Sequence, residues 1–323
     1  VPHKVAPAVA AGCPVVLKPA NKTPMTALRL GRLILEAGWP PEALSVLNLQ
    51  IPYAAPLVED DRIKVLTFTG SAQVGWSLKG RARKKRVLLE LGGDGAVVVC
   101  DDMGDHPDRW DAMVRRIAFG AFAYAGQVCV SVQRVFVHRS LHDRFVEDLV
   151  AATAEVATVG PPDESGVLMS SLIDDRAADR ISRVIDQAVK GGATLHCGGR
   201  VEGRRFSPMV LTEVPEGCEL ATEELFGPAV HVQPFDTFPE AMARVNASPY
   251  GLQAGVYTRD LEVATRAHGG LEVGCVLIGE VPTFRVDHMP YGGVKASGFG
   301  REGLRYAFEA YTEERLLVLP SGS

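Results

Sequence analysis

The stretch VLTFTGSAQVGWSLKGRARKKRVLLELGG, residues 65–93, decides the fold class. It opens on an apolar, β-prone run, Val65 to Thr69, and passes through Gly70-Ser71 into a helix-like segment. It closes on a second apolar run, Val87 to Leu91. A parallel strand pair needs a crossover of a dozen or more residues, usually a helix, so this spacing predicts a strand–helix–strand unit. The same alternation extends toward the N-terminus. Pro14 to Lys18 reads as a short buried strand and Leu44 to Leu49 as another. Between them Thr23-Pro24 gives a helix cap with Pro at the first helical position, apolar residues follow at Leu28, Leu30, Leu33 and Ile34, and Gly38 stops the helix. Toward the C-terminus, Arg134 to His138 reads as a buried strand, and Asp143 to Ala157 and Ala177 to Lys190 as amphipathic helices. Glycine breaks follow at Gly191-Gly192 and Gly198-Gly199, and the tail Tyr311 to Pro320 is strand-like and unusually apolar. Alternating strands and helices define an α/β protein with parallel sheet.

Composition narrows the function classes. The chain has 323 residues, 46% hydrophobic and 23% charged, which suits a soluble globular protein of two domains. A net charge of -5 gives no reason to expect a nucleic-acid or acidic-membrane partner. The basic run Lys79 to Arg86 reads as a solvated helix end or loop. No apolar run is long enough for a transmembrane helix, and no signal peptide is visible. The six cysteines are scattered with no CxxC pair, which argues against zinc and a disulfide framework and fits a reducing cytoplasm. The chain opens at Val1 on an apolar helical pattern, so upstream sequence is expected.

Four windows carry candidate chemistry. Cys129 in AYAGQVCVSV follows Gly126, which lets the backbone turn ahead of a thiol nucleophile. The alternative at this point is a buried core cysteine. Glu90 closes an apolar strand just before Gly92-Gly93, at the kind of strand end where α/β active sites form; the alternative is an exposed surface ion pair. Gly70-Ser71 opens a helix whose N–H groups and hydroxyl suit a pyrophosphate, or is an ordinary loop. Glu223-Glu224-Leu225-Phe226-Gly227-Pro228 places paired acids before an aromatic and a Gly-Pro turn, or is a solvated loop.

The windows VVLKPANKTP, LTFTGS, LELGG, AGQVC, EELFGPAV, NASPYGL and MPYGGVKASGFGREG occur in this order along essentially the whole chain. The chain resembles the aldehyde dehydrogenase superfamily, and within it a prokaryotic branch of lactaldehyde- and phosphonoacetaldehyde-type enzymes. The resemblance implies a truncated Rossmann-like cofactor domain over 1–92, an α/β catalytic domain over 93–290, and a return segment with an oligomerisation strand over 291–323. It implies oxidation of a small aldehyde to a carboxylate with NAD or NADP, by a soluble homodimer or homotetramer. It assigns Cys129 as nucleophile and Glu90 as the base for hydrolysis. It also assigns Lys18 to the adenosine ribose, Gly70 and Ser71 to the pyrophosphate, Glu224 to the nicotinamide ribose and Phe226 to the ring. The Cys129 N–H corresponds to half of an oxyanion hole; the Asn that supplies the other half in the family falls before Val1.

Departures from the family pattern are local. Asn21, followed by Lys22, stands where NAD-preferring members carry Glu, which removes repulsion of a 2′-phosphate. The glycines usual between LNL and FTGS are missing from QIPYAAPLVEDD, and VGPPDESGVLMSS looks shortened. Asp94 replaces the common Asn or Lys, and Gly279 the usual Asn. Arg285 in PTFRVDHMPYGG suits a planar or anionic oxygen group on a short substrate, or pairs with Asp287 or another surface acid. Two other readings stand beside the dehydrogenase. One is a non-catalytic remnant acting as an oligomer-forming or binding module, against which the joint presence of Cys129, Glu90, Lys18 and Glu224 argues. The other is an acylating enzyme using coenzyme A, against which Glu90 argues.

Overall fold

The computed structural model describes residues 1–320. Contacts divide the chain into two units at Glu90/Leu91, two residues before the boundary read from the sequence. The first unit holds Val1–Glu90 and regains the chain at Val286–Gly292 and from Phe299 onward. The return segment expected over 291–323 is therefore divided: Gly293–Gly298 belongs to the second unit and the remainder to the first. The second unit holds Leu91–Arg285 and Gly293–Gly298.

The first unit runs α1 (Pro2–Ala10), β1 (Val15–Leu17), α2 (Met25–Glu36), β2 (Leu44–Val46), α3 (Ile51–Glu59), β3 (Val65–Thr69), α4 (Ala72–Arg81) and β4 (Arg86–Glu90). β1 pairs parallel with β2, and β3 parallel with β4, in separate sheets. β1 and β2 are only three residues long, and Val16 is exposed, so the expected buried strand over 14–18 is a short, half-open one. That narrow platform covers only Ala27 and Gly31 of α2 and leaves Leu28 and Leu33 exposed. Gly31 is required there, because a Cβ would meet the Val46 side chain at 2.6 Å. Pro24 caps α2 in helical geometry with no side-chain cap, so Thr23 does not act as the N-cap. Lys79 and Arg81 end α4, Ala82 is buried, Lys85 is half-buried, and the exposed Arg83, Lys84 and Arg86 carry the rest of the basic run into β4.

The second unit runs β5 (Gly95–Val99), α5 (Pro107–Phe122), β6 (Val132–His138), α6 (His142–Val156), α7 (Asp175–Lys190), β7 (Thr194–Glu202), β8 (Arg205–Thr212), β9 (Ala229–Phe235), α8 (Phe238–Asn246), β10 (Gln253–Tyr257), α9 (Leu261–Gly270) and β11 (Cys275–Ile278). Seven strands form one sheet in the order β11-β10-β5-β6-β9-β8-β7. All neighbours are parallel except the edge pair β7–β8. β5 shows why its sequence is apolar throughout. Val97 and Val99 pack with Ile117, Phe145 and Ile181 from the helices of one face, while Ala96 and Val98 pack with Val245 and Ala267 of the other. Gly198-Gly199 lies inside β7, where left-handed φ angles and register shifts form a bulge instead of the expected break.

At the chain's end one copy alone forms no strand. Leu304–Tyr311 is a helix, and residues 312–320 form no strand. A strand exists only through a partner ladder, and none pairs with this segment among the described residues. Leu316, Leu317, Val318 and Leu319 stand 67–89% exposed.

Candidate active site

In the first unit the end of β3 is pinned to the end of β4: the Gly70 N–H donates to the Glu90 carbonyl at 3.1 Å. Gly70 packs so tightly over Phe68 that a Cβ would lie 2.5 Å from its ring. Ser71 then caps α4 with extended geometry, and its hydroxyl makes no cap hydrogen bond. Lys18, at the end of β1, donates to the Pro19 carbonyl at 2.8 Å and to Asn21 Oδ1 at 2.9 Å. The amide at 21 is thus tied to Lys18 where a carboxylate would form an ion pair.

Glu90 is only 4% exposed, which removes the surface ion-pair alternative. Its Oε1 lies 3.1 Å from where a Cβ on Gly292 would sit. In the parallel register Thr69 faces Glu90, so Thr67, two residues earlier, shares that face of the β3–β4 pair. Lys4 donates to Thr67 Oγ1 at 2.9 Å and forms a partly buried ion pair with Glu302. Neither Lys4 nor Glu302 stood out in the sequence, because one lies in an apolar helical pattern and the other in a glycine-rich turn.

The second unit assembles Cys129, Gly92-Gly93 and Glu224. Cys129 follows three consecutive left-handed residues, Tyr124 (φ 54), Ala125 (φ 56) and Gly126 (φ 68), which stop α5 and turn the chain. The turn closes with Ser131 N–H on the Val128 carbonyl at 2.9 Å and the Ser131 hydroxyl on the Ala121 carbonyl at 3.1 Å. This loop lies directly on the LELGGDG backbone. A Cβ at Gly93 would sit 2.2 Å from the Cys129 carbonyl oxygen, and one at Gly95 would sit 2.3 Å from that of Ser131. The alternating glycines therefore match alternating residues of the cysteine loop.

Glu224 approaches the same backbone from the other side. Its Oε1 accepts the Gly93 N–H at 2.8 Å, and its Oε2 lies 2.2 Å from where a Gly92 Cβ would be. Burial pushes the Glu224 carboxyl up to about 7, against the opposing pull of the Gly93 hydrogen bond and Arg180. Phe226 follows in left-handed geometry, half turned to solvent. Its neighbour Gly227 presses its carbonyl onto Gly126, where a Cβ would lie 2.0 Å away. The Arg180 guanidinium donates to the Leu225 carbonyl, and Gln133 joins Gly93 to Leu225.

Beneath this junction Asp94 and Arg134 form a buried ion pair at 2.7 Å, with the Ser248 hydroxyl on Asp94 at 3.0 Å. Burial raises the Asp94 carboxyl while Arg134 opposes it. Tyr250 donates to Glu223 at 3.4 Å, and burial pushes its hydroxyl up to about 12. Arg285 is half-buried at the end of VPTFR, a segment held by the Gln253 amide on the Pro282 and Phe284 carbonyls. Asp287, considered as its partner, accepts from His3 at 3.1 Å. All six cysteines are free thiols, and burial raises Cys100, to about 12, as well as Cys197 and Cys275. No described group of side chains could hold a metal ion, and no described helix is long and apolar enough to cross a membrane.

In the first unit Ser71 opens a helix N-terminus with no side-chain cap and Lys18 meets the amide at 21; in the second unit Glu224 is a half-buried carboxylate. The model of the aldehyde dehydrogenase family matches residues 1–317, and the chain belongs to that family. It is 40% identical over 318 residues to a 3-sulfolactaldehyde dehydrogenase from Priestia aryabhattai, covering 98% of this chain and 65% of that enzyme. Among solved structures it matches aldehyde dehydrogenase 21 from Physcomitrella patens, in complex with the reaction product succinate. There the TM-score is 0.94 at 40% identity, over 98% of this chain and 65% of that one. It also matches an NADP-dependent glyceraldehyde-3-phosphate dehydrogenase from Bacillus halodurans complexed with NADP, with a TM-score of 0.91 and 34% identity over 97% of this chain and 64% of that one. The chain thus spans about two thirds of the length of these relatives.

Proposed function

We propose that this chain carries the nucleophile, the base and cofactor contacts of an NAD(P)-dependent, non-acylating aldehyde dehydrogenase. The observation that carries the reading is the shared platform in the second unit: Gly93 abuts the Cys129 carbonyl and donates its N–H to Glu224. A scaffold has no need to bring a thiol loop and a costly half-buried carboxylate to one glycine.

In this reading the Cys129 thiolate adds to the aldehyde carbon, giving a thiohemiacetal. The Cys129 N–H supports the oxygen that gains charge; one such donor is typically worth about 3 kcal/mol. A nicotinamide dinucleotide held by these residues would supply the hydride acceptor. Glu90 then takes a proton from water as it adds to the thioester, and the thiolate leaves with the carboxylate product. The balance is aldehyde, NAD(P)+ and water to carboxylate, NAD(P)H and two protons. Lys18, Asn21, Gly70, Ser71, Glu224 and Phe226 would hold the cofactor. The amide at 21 permits a 2′-phosphate and supports use of NADP as well as NAD. One relative is named for sulfolactaldehyde, an aldehyde with an anionic sulfonate, and another is solved with its dicarboxylate product succinate. They support a short anionic or hydroxylated aldehyde, with Arg285 as the residue that meets the polar end.

The test is Glu90→Gln in the purified protein. A burst of about one equivalent of NAD(P)H followed by a slow steady state is expected, with product formation independent of coenzyme A. Loss of the burst in this variant, with Cys129 still the thiol alkylated fastest by iodoacetamide, removes Glu90 from the hydrolytic step. Absence of any turnover in the parent favours a non-catalytic module.

A further inference from the structure

We propose that Gln133 is a positioning residue for Glu224: its buried carboxamide clamps the Gly93 and Leu225 backbones at a fixed separation and so sets where the Glu224 carboxylate can reach. The inference rests on the dehydrogenase reading for what Glu224 binds.

Gln133 lies on β6, four residues after Cys129, and is 4% exposed. Its Nε2 donates to the Gly93 carbonyl at 3.2 Å, and its Oε1 accepts the Leu225 N–H at 2.7 Å. Glu224 Oε1 accepts the Gly93 N–H at 2.8 Å. The result is a closed circuit. Gly93 is held at its N–H by Glu224 and at its carbonyl by Gln133, and the residue after Glu224 ends on the same carboxamide. A carboxamide suits the position because it offers one donor and one acceptor without charge, and an unmet backbone group at this depth is costly.

The circuit has a consequence for ligand binding. A ribose hydroxyl that draws on the Glu224 carboxylate competes with the Gly93 N–H. While Gln133 is present, the spacing of the two loops survives loss of that bond. Without Gln133, the Glu224–Gly93 contact is the one hydrogen bond left joining these loops among the described residues. The carboxylate must then give up the loop to meet the ligand, and cofactor affinity falls. The protein acts here through Glu224 and not through the cysteine.

NADPH binding, followed by its fluorescence, tests this without turnover. Gln133→Met keeps length and loses both bonds; an affinity loss of about tenfold is expected. In a Glu224→Ala background the same change should cost less than about twofold, because its route of action is gone. Gln133→Glu adds a signature that a packing role lacks. Ionised, it accepts from Leu225 but cannot donate to the Gly93 carbonyl; protonated, it does both. Glu224, raised to about 7, titrates in this window in every variant, with Arg180, Asp94 and Arg134 as the other charged groups nearby, so each affinity is read as a ratio to wild type at the same pH. For Gln133→Glu that ratio should recover as pH falls from about 8 to about 5.5, since burial raises the new carboxyl as well. The Gln133→Met ratio should stay constant over that range. Wild-type affinity in Gln133→Met, equal losses in both Glu224 backgrounds, or a flat ratio in Gln133→Glu each overturn the proposal. If Gln133→Met does not fold, the Gln133→Glu ratio decides alone. A parent protein that binds no NADPH overturns the dehydrogenase reading and this inference with it.

Discussion

Glu224→Gln should make the protein more stable at alkaline pH, by an amount that grows with pH. The Glu224 carboxyl is raised from 4.5 to about 7, with burial as the largest cause. A raised carboxyl binds its proton more tightly folded than unfolded. Its contribution to stability is therefore complete below the unfolded value and is lost as pH climbs through the folded one. At about 1.4 kcal/mol per unit the full loss is about 3.5 kcal/mol, of which about 2.5 kcal/mol falls between pH near 5 and pH near 8. Glutamine keeps an oxygen for the Gly93 N–H and never ionises, so it escapes this loss. Its amide nitrogen against Gly92 adds an offset, but that offset does not vary with pH. Urea unfolding of both proteins at four pH values across this range gives the difference directly. A difference that rises by about 2.5 kcal/mol confirms the burial argument. One that stays level, or falls as pH rises, refutes it and means the carboxylate is effectively solvated.

Gly93→Ala drives a methyl to 2.2 Å from the Cys129 carbonyl oxygen, a backbone atom that cannot swing aside, so overpacking should cost about 3 kcal/mol in denaturant titrations. A change under about 0.5 kcal/mol would show the cysteine loop to be free of the glycine platform. Asp94→Asn leaves the Arg134 cation buried without its partner charge and should destabilise by about 3–5 kcal/mol, measured the same way. Asn21→Glu should weaken NADP binding relative to NAD, read as the ratio of dissociation constants; an unchanged ratio removes position 21 from the ribose. Arg285→Ala should cost a short anionic aldehyde about 2 kcal/mol in kcat/KM and leave hexanal nearly unchanged, whereas equal losses reduce the arginine to a structural role.

The elements most legible in the sequence are those whose burial repeats along the chain. β3 matches its expected span, Val65–Thr69, and α6 and α7 begin within two residues of theirs, because each carries a period that packing reinforces. The exposed tail shows the converse: Leu316 to Leu319 has the composition of a strand, but strandness belongs to a pair and not to a segment. Glu90 is legible as a carboxylate closing an apolar strand. The companion contact of Glu224 with Gly93 spans 131 positions and leaves no local trace. Gln133 gave no signal at all, since a single amide between Val132 and Arg134 looks the same whether it faces water or clamps two loops. The glycines at 93 and 95 were visible; what they make room for was not.

The left-handed run at Tyr124, Ala125 and Gly126 sets up a conflict for anyone breeding a hardier version of this protein. Side chains in that conformation cost roughly 1–2 kcal/mol each, so Tyr124 and Ala125 hold back a few kcal/mol that the rest of the second unit offsets. A screen that rewards heat resistance alone will reach for glycine or asparagine at these two places. It will find the improvement, and the same substitutions will slacken the bend that delivers Cys129. With Cys129 as the proposed nucleophile, selection for survival and selection for a well-aimed thiol pull in opposite directions over two adjacent codons.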